Sequence, residues 1–289
     1  MNNDRIQEIL DLMEEARLDY FLISDPQSIA YCTGYYNDPH ERMFVFMISK
    51  HGNHTLFMND LFYLEHDLDV NIVWHKDGQD AIQTIVDEMH FPGRIGIDKN
   101  WASHFLLDLM KKLPDAKYIN ASPCVDLVRM KKDLQEQVLM IESSKINDAV
   151  MEEIIPFIQE GVTEKQLAKK LDELFFNHHS TCYGAIVAFG KNAADPHHEN
   201  DDTPLRKGDC VLIDMGCVYK GYCSDMTRTF FYEGILEEEI KVYEIVKKAN
   251  EAAEAMIKPG VKLSDIDKCA RKVISDEGYG KYFTHRLGH

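Results

Sequence analysis

No stretch of this sequence approaches the ~20 consecutive apolar residues that a membrane-spanning helix requires, and no basic run exceeds Lys131-Lys132 or Lys247-Lys248. The first absence argues against a helical membrane protein. The second, with 32 Lys and Arg set against 49 Asp and Glu for a formal charge of −17, argues against nucleic acid or an anionic membrane as partner, since phosphate backbones are bound by clustered cations. A paired cysteine framework is also missing. The seven cysteines are odd in number and scattered, several in apolar strand contexts where a reduced thiol packs as a small hydrophobe. Cys217 and Cys223 are close enough in a hairpin to approach each other, but reduced thiols are the simpler expectation. There is no internal repeat and no low-complexity segment. Met1-Asn2-Asn3-Asp4-Arg5 opens an amphipathic helix rather than a secretory leader, so the expectation is a soluble, cytoplasmic protein.

What is present is alternation. Asp4 is a candidate N-cap for a helix with Ile6, Ile9, Leu10, Met13 and Ala16 at helical spacing. Strand patterns follow at 20–23, 43–48, 55–58, 71–74, 94–97 and 117–120, with helices predicted around 28–32, 81–89 and 103–112. The first ~125 residues therefore read as an α/β domain. A boundary falls near Val125 to Lys131, and we divide the chain into 1–127 and 128–289. Beyond it, Asp133 is a candidate cap for a long helix. Thr163-x-x-Gln166 is a capping-box signature for a helix through Phe176, and further helices are expected over about 236–257 and from Ser264-Asp265 to Gly278. The second domain is expected to be helices packed on an antiparallel sheet, an α+β arrangement.

The segment from Asp209 to Phe231 carries most of the chemistry. Cys210–Cys217 and Tyr222–Phe231 are strand-forming arms around Tyr219-Lys220-Gly221, so the segment predicts a β-hairpin. A turn centred between Tyr219 and Lys220 would set Asp214 directly opposite Asp225, with Cβ atoms about 4.5–5.5 Å apart. Like charges so placed in an apolar ribbon need a cation between them, and hard divalent ions prefer oxygen ligands. An exposed, solvated pair, or a pair sharing one proton, is the alternative. Histidines stand on either side in sequence: His197 and His198 after Asn192-Ala193-Ala194-Asp195-Pro196, and His285 and His289 in His285-Arg286-Leu287-Gly288-His289. Imidazole serves as metal ligand and as proton donor near neutral pH.

Taken together, Asn192 to His197, Leu205 to Gly216, Asp225 to Phe230 and His285 to His289 resemble the motifs of the pita-bread metallopeptidases. That family includes methionine aminopeptidase, aminopeptidase P, Xaa-Pro dipeptidase (prolidase) and creatinase. The N-terminal α/β domain resembles the one shared by creatinase, prolidase and aminopeptidase P, including Asp25-Pro26 through Tyr35, and methionine aminopeptidase generally lacks it. Asp38 to Phe44 looks more like the small bacterial Xaa-Pro dipeptidases. The resemblance implies a creatinase-type N-terminal domain followed by a pita-bread domain, with Asp214 holding one metal, Asp225 bridging two and His289 binding the second. It implies His197 beside the scissile bond as the catalytic histidine, and His285 near the substrate's second residue. It further implies two divalent ions, manganese before cobalt or zinc, an Xaa-Pro peptide substrate and a homodimer.

The sequence departs from the family in small ways at Asp195, where the family often has Leu, and at Phe189, where it commonly has a small residue, and more plainly at its last residues. Two further glutamate ligands follow the His-x-x-Gly-His motif in the family, one of them the catalytic base, and this chain stops on its last histidine. The pita-bread domain is therefore expected to be incomplete, and these 289 residues alone to be inactive where a longer chain is active. The competing readings are an aminopeptidase P or creatinase-type hydrolase, and a non-catalytic pita-bread binding protein. Retention of Asp214, Asp225, His197 and His289 favours an enzyme over the binding protein.

Overall fold

A computed structural model describes residues 1–288, and the chain divides into two compact units, Met1–Asp133 and a second beginning at Leu134. The first unit runs α1 (Asn3–Glu15), β1 (Tyr20–Ile23), α2 (Pro26–Thr33), β2 (Val45–Ser49), β3 (Thr55–Asn59), β4 (Asn71–His75), α3 (Ala81–Glu88), β5 (Arg94–Ile97), α4 (Ser103–Lys112), β6 (Lys117–Asn120) and α5 (Ser122–Met130). Its six strands form one sheet in the order β4-β3-β2-β1-β5-β6. The β1–β2 and β2–β3 pairs are antiparallel, and β3–β4, β1–β5 and β5–β6 are parallel.

The alternation of side chains across β1 shows why the sheet needs two covers. Phe21 and Ile23 pack with Ile6, Ile9 and Met13 of α1 and Val125 of α5, whereas Tyr20 and Leu22 pack with Ile82 and Ile85 of α3 and Leu109 of α4. A strand buried on both faces reads as an unbroken apolar run, as this one does. One expectation is corrected at the start of α1. The capping side chain is Asn2, whose Oδ1 accepts from the Arg5 N–H at 3.2 Å, and Asp4 lies inside the first helical turn.

The second unit runs α6 (Leu134–Ile154), α7 (Glu164–Asn177), β7 (Thr181–Cys182), β8 (Ile186–Phe189), a 3-10 turn (Gly190–Ala194), β9 (Cys210–Met215), β10 (Cys217–Tyr219), β11 (Tyr222–Cys223), β12 (Met226–Phe231), α8 (Glu237–Glu254) and α9 (Leu263–Asp276). The Thr163–Gln166 capping box forms at the head of α7 in both directions. The predicted long hairpin is instead broken into two three-stranded sheets, β12-β9-β8 and β11-β10-β7, with the break at Gly216 on one arm and Ser224-Asp225 on the other. Val211, Ile213 and Met215 of β9 and Val187 and Phe189 of β8 pack against Val150 and Ile154 of α6 and Leu167, Leu171 and Phe175 of α7. α8 and α9 close a separate small core around Ile245, Ala249, Ala253, Ala270 and Ile274.

At the break, α6 adds side-chain donors to two backbone carbonyls. Asn147 Nδ2 donates to the Met215 carbonyl at 3.3 Å and Ser143 Oγ to the Cys217 carbonyl at 3.4 Å, one helical turn apart. All seven cysteines are free, although Cys182 and Cys217 are direct cross-strand partners. Burial pushes the Cys182 and Cys210 thiols up to about 11 and Cys32 up to about 12. At pH 8 the first two would hold roughly 10²-fold less thiolate than an ordinary cysteine, offset about tenfold by the greater nucleophilicity of a more basic sulfur. Iodoacetamide should therefore label Cys182 and Cys210 at least about tenfold more slowly than a model peptide, as followed by mass spectrometry. Labelling at the peptide rate would contradict their burial.

Candidate metal centre

On β9 the side chains alternate. Val211, Ile213 and Met215 point into the core, and Leu212 and Asp214 lie half-buried on the opposite face. Asp214 pairs with Ile186 on β8 and with Thr227 on β12. The Thr227 hydroxyl donates to Asp214 Oδ1 at 2.6 Å. Asp225 is thus not directly opposite Asp214, and the predicted register is wrong by two residues. The cause is the turn. Lys220 and Gly221 both take left-handed backbone (φ 48° and 86°), so the two-residue turn closes one position later than its expected centre and pairs Tyr219 with Tyr222.

The corrected register holds on both sides of the sheet break, Met226 facing Met215 and Cys223 facing Val218, which brings Asp225 level with Gly216. By the two-residue period, Asp225 shares a face with Thr227 and Asp214 and sits diagonally from Asp214. The expectation of a buried ribbon is also corrected, because Asp214 is half-buried and Asp225 exposed. Tyr183 lies at this corner. Its Oη donates to the Ser224 carbonyl at 2.6 Å, and its phenol is pushed up to about 12 by burial first and then by the negative fields of Asp225, Cys223 and Asp214. A Cβ on residue 216 would meet Tyr183 Oη at 2.1 Å and the Ser224 carbonyl oxygen at 2.2 Å, so only glycine fits.

His197 stands exposed on the loop that leaves β8, and its N–H donates to Asp195 Oδ1 at 3.0 Å. The loop is fixed from beneath by Glu164, the first residue of α7 and fully buried. Glu164 Oε1 accepts from the Phe189 N–H at 2.8 Å and Asn192 Nδ2 at 2.9 Å. Oε2 accepts from His198 Nε2 at 2.6 Å and the Asp201 N–H at 3.0 Å. A carboxylate can only accept, so His198 carries its proton on Nε2. Thr203 donors, and more weakly Glu164 and the neighbouring His198, hold the Asp201 carboxyl below the ordinary range.

His285 is exposed and belongs to the segment following α9. Arg271 on α9 donates to the Phe283 carbonyl at 2.8 Å and the His285 carbonyl at 3.0 Å, while Asp267 accepts from Arg271 and from the Leu287 N–H. The same bonds hold the Asp267 carboxyl below its usual value, Arg271 being the largest cause. His289, the third expected ligand, lies outside the described residues.

Among the described residues one group of three metal-ligating side chains converges within 4.8 Å, namely Glu164, His198 and Asp201. Both Glu164 oxygens already accept two hydrogen bonds each, so this group serves as a structural anchor. The Asp214–Asp225 face suits divalent ions better, since it offers oxygen donors and one Asp214 oxygen is committed to Thr227 while the carboxylate stays accessible.

The model of metallopeptidase family M24 matches residues 138–289, and that of the creatinase/prolidase N-terminal domain matches 5–131. The chain belongs to metallopeptidase family M24. An uncharacterized peptidase of Staphylococcus aureus is 32% identical over 294 residues, covering 99% of this chain and 82% of that protein. Among solved structures, a dipeptidase from Pyrococcus horikoshii matches with TM-score 0.89 and 34% identity over 99% of this chain and 81% of its own. A prolidase from Thermococcus sibiricus matches with TM-score 0.93 and 30% identity over 100% and 81%. The expected architecture, a creatinase-type N-terminal domain followed by a pita-bread domain, holds.

Sequence reasoning did not find Tyr183, Thr227 or Glu164. The last sits inside the recognised capping box, between the Thr163 and Gln166 that gave the signal. Gly216→Ala should destabilise the protein by about 1–3 kcal/mol, the usual cost of overpacking, read from urea unfolding. Adding Tyr183→Phe should recover only part of that loss, because the Ser224 carbonyl still blocks the methyl group.

Proposed function

We propose that this M24 peptidase is a metal-dependent Xaa-Pro dipeptidase, which hydrolyses the peptide bond preceding proline. The observation that carries the reading is the pair Asp214 and Asp225 on one face of the β9–β12 ribbon, with His197 on the loop leaving the adjoining strand β8. Similarity to the Pyrococcus dipeptidase and the Thermococcus prolidase supports the choice of substrate. Two divalent ions, manganese by preference, would be held by Asp214, Asp225 and His289. When bound they supply Lewis acidity toward the scissile carbonyl and an attacking water at neutral pH.

The chain's own residues have separate tasks. Thr227 orients Asp214 through its hydroxyl. With its phenol pushed up to about 12, Tyr183 stays protonated at neutral pH and fixes the backbone at Ser224, one residue before Asp225. His197 donates a hydrogen bond to the scissile carbonyl as charge develops on its oxygen. His285 contacts the proline residue. The enzyme works in the cytoplasm as a homodimer.

The test uses the full-length protein and compares proline release from an Xaa-Pro dipeptide and an Xaa-Pro-Xaa tripeptide in the presence of Mn²⁺, with metal content measured on the same samples. The dipeptide should be cleaved faster. Asp225→Asn should remove one metal equivalent and activity together, whereas His197→Ala should lower kcat by about 10²–10³-fold with metal retained. Equal or faster cleavage of the tripeptide would reassign the protein to aminopeptidase P. No cleavage by a fully metallated sample would overturn the peptidase reading.

A further inference from the structure

We propose that His198 is the positioning residue for His197, and that its bond to the buried Glu164 carboxylate sets where the loop after β8 presents the neighbouring imidazole. Asn200 ties the far end of the loop to the Val187 N–H and the Ala185 carbonyl, and Glu164 gathers the stretch around His197. Glu164 takes the Phe189 N–H at the end of β8, the Asn192 side chain within the 3-10 turn, the His198 ring and the Asp201 N–H, so four points spread over thirteen residues converge on two oxygens. His197 lies between the second and third of these points. Its own ring has no hydrogen-bond partner among the described residues, and its backbone is tied only to the exposed Asp195. Its location is thus inherited from its neighbours, above all from His198, whose side chain is only 12% exposed and whose bond to a fully buried carboxylate is the shortest of the four.

His197 sits in the β-turn Asp195–His198, which the His198 N–H closes on the Asp195 carbonyl at 3.2 Å. That geometry separates the roles: the His198 ring goes down to Glu164 as the His197 ring goes out to solvent. A displacement of about 1 Å in a group that touches the reacting bond can cost on the order of 10²-fold in rate. The effect should fall on kcat, because His198 meets neither substrate nor metal. The inference rests on the proposed role of His197, and the test separates the two.

His198→Ala removes the donor. His198→Gln keeps an N–H near the position of Nε2. Glu164→Gln keeps the shape but turns an NH₂ toward two donors, whichever way the amide lies. Each variant is assayed for kcat, KM and bound Mn²⁺, and for trypsin cleavage after Lys191, which lies in the anchored turn and reports loop release without reference to activity. We expect His198→Ala and Glu164→Gln to raise cleavage at Lys191 at least about tenfold over other sites, and His198→Ala to lower kcat about tenfold or more at nearly constant KM and metal content. His198→Gln should restore both to within about threefold of wild type. Cleavage confined to wild-type rates at Lys191 would overturn the anchor whatever the kinetics. A released loop with kcat unchanged, in a protein that His197→Ala does slow, would overturn the positioning role. If His197→Ala turns over at the wild-type rate, the proposed function of His197 fails, and the proteolysis result still decides the anchor.

Discussion

The buried carboxylate of Glu164 is the constraint on which the catalytic side of the second unit depends. An ion at this depth loses several kcal/mol of hydration, and removing one partner from such a group commonly costs about 3–5 kcal/mol. Hydrogen bonds to a charged acceptor contribute about 1.5–3 kcal/mol each, and this carboxylate accepts four. The four donors found here come from the end of a strand, a 3-10 turn and two loop positions. Helix α7 adds to the arrangement through its capping box, which fixes the backbone on either side of Glu164. Together with Asn200, which bonds to the Val187 N–H and the Ala185 carbonyl, this carboxylate orders the loop that carries His197.

A second constraint acts at Gly216. Two sheets meet there, and the chain turns the corner only because Tyr183 and the Ser224 carbonyl can come within a van der Waals radius of where a side chain would be. Asn147 and Ser143 of α6 brace the corner through the Met215 and Cys217 carbonyls. In consequence the carboxylate face of β9 and β12 is held by neutral donors: a threonine hydroxyl, a tyrosine hydroxyl and helix side chains. No cation of the described chain pairs with Asp214, which leaves its charge for a ligand from outside.

Much of this was legible in the sequence. The strands at 20–23, 94–97 and 117–120 coincide with β1, β5 and β6, the first of them a continuous, fully buried apolar run. The Thr163–Gln166 box was equally plain, since it rests on local chemistry. What failed was register. Hairpin pairing depends on which two residues occupy the turn, and Tyr219-Lys220-Gly221 allows more than one choice. A left-handed lysine is an unusual occupant that a composition argument does not favour. Glu164 escaped for a different reason. An acidic residue in the first turn of a helix is ordinarily a solvated partner of the helix dipole, and nothing local shows that four donors will arrive from 25 to 37 residues away.

The register error also changes the electrostatic argument. Directly opposed aspartates would repel at about 4.5–5.5 Å between Cβ atoms and would force a counter-charge simply for the sheet to form. The observed pairing removes that necessity, because Asp214 faces Thr227 and accepts its hydroxyl, and Asp225 stands one step along the same face. Diagonal neighbours lie roughly 7–8 Å apart. At that spacing the carboxylates need no cation to coexist, yet their oxygens can approach to about twice a metal–oxygen bond of ~2.0–2.6 Å. A ribbon of this kind can fold before it is loaded and still present two oxygen ligands at a separation that a divalent ion can bridge. Repulsion alone would have tied folding to metal, whereas the diagonal arrangement lets binding be governed by ligand geometry.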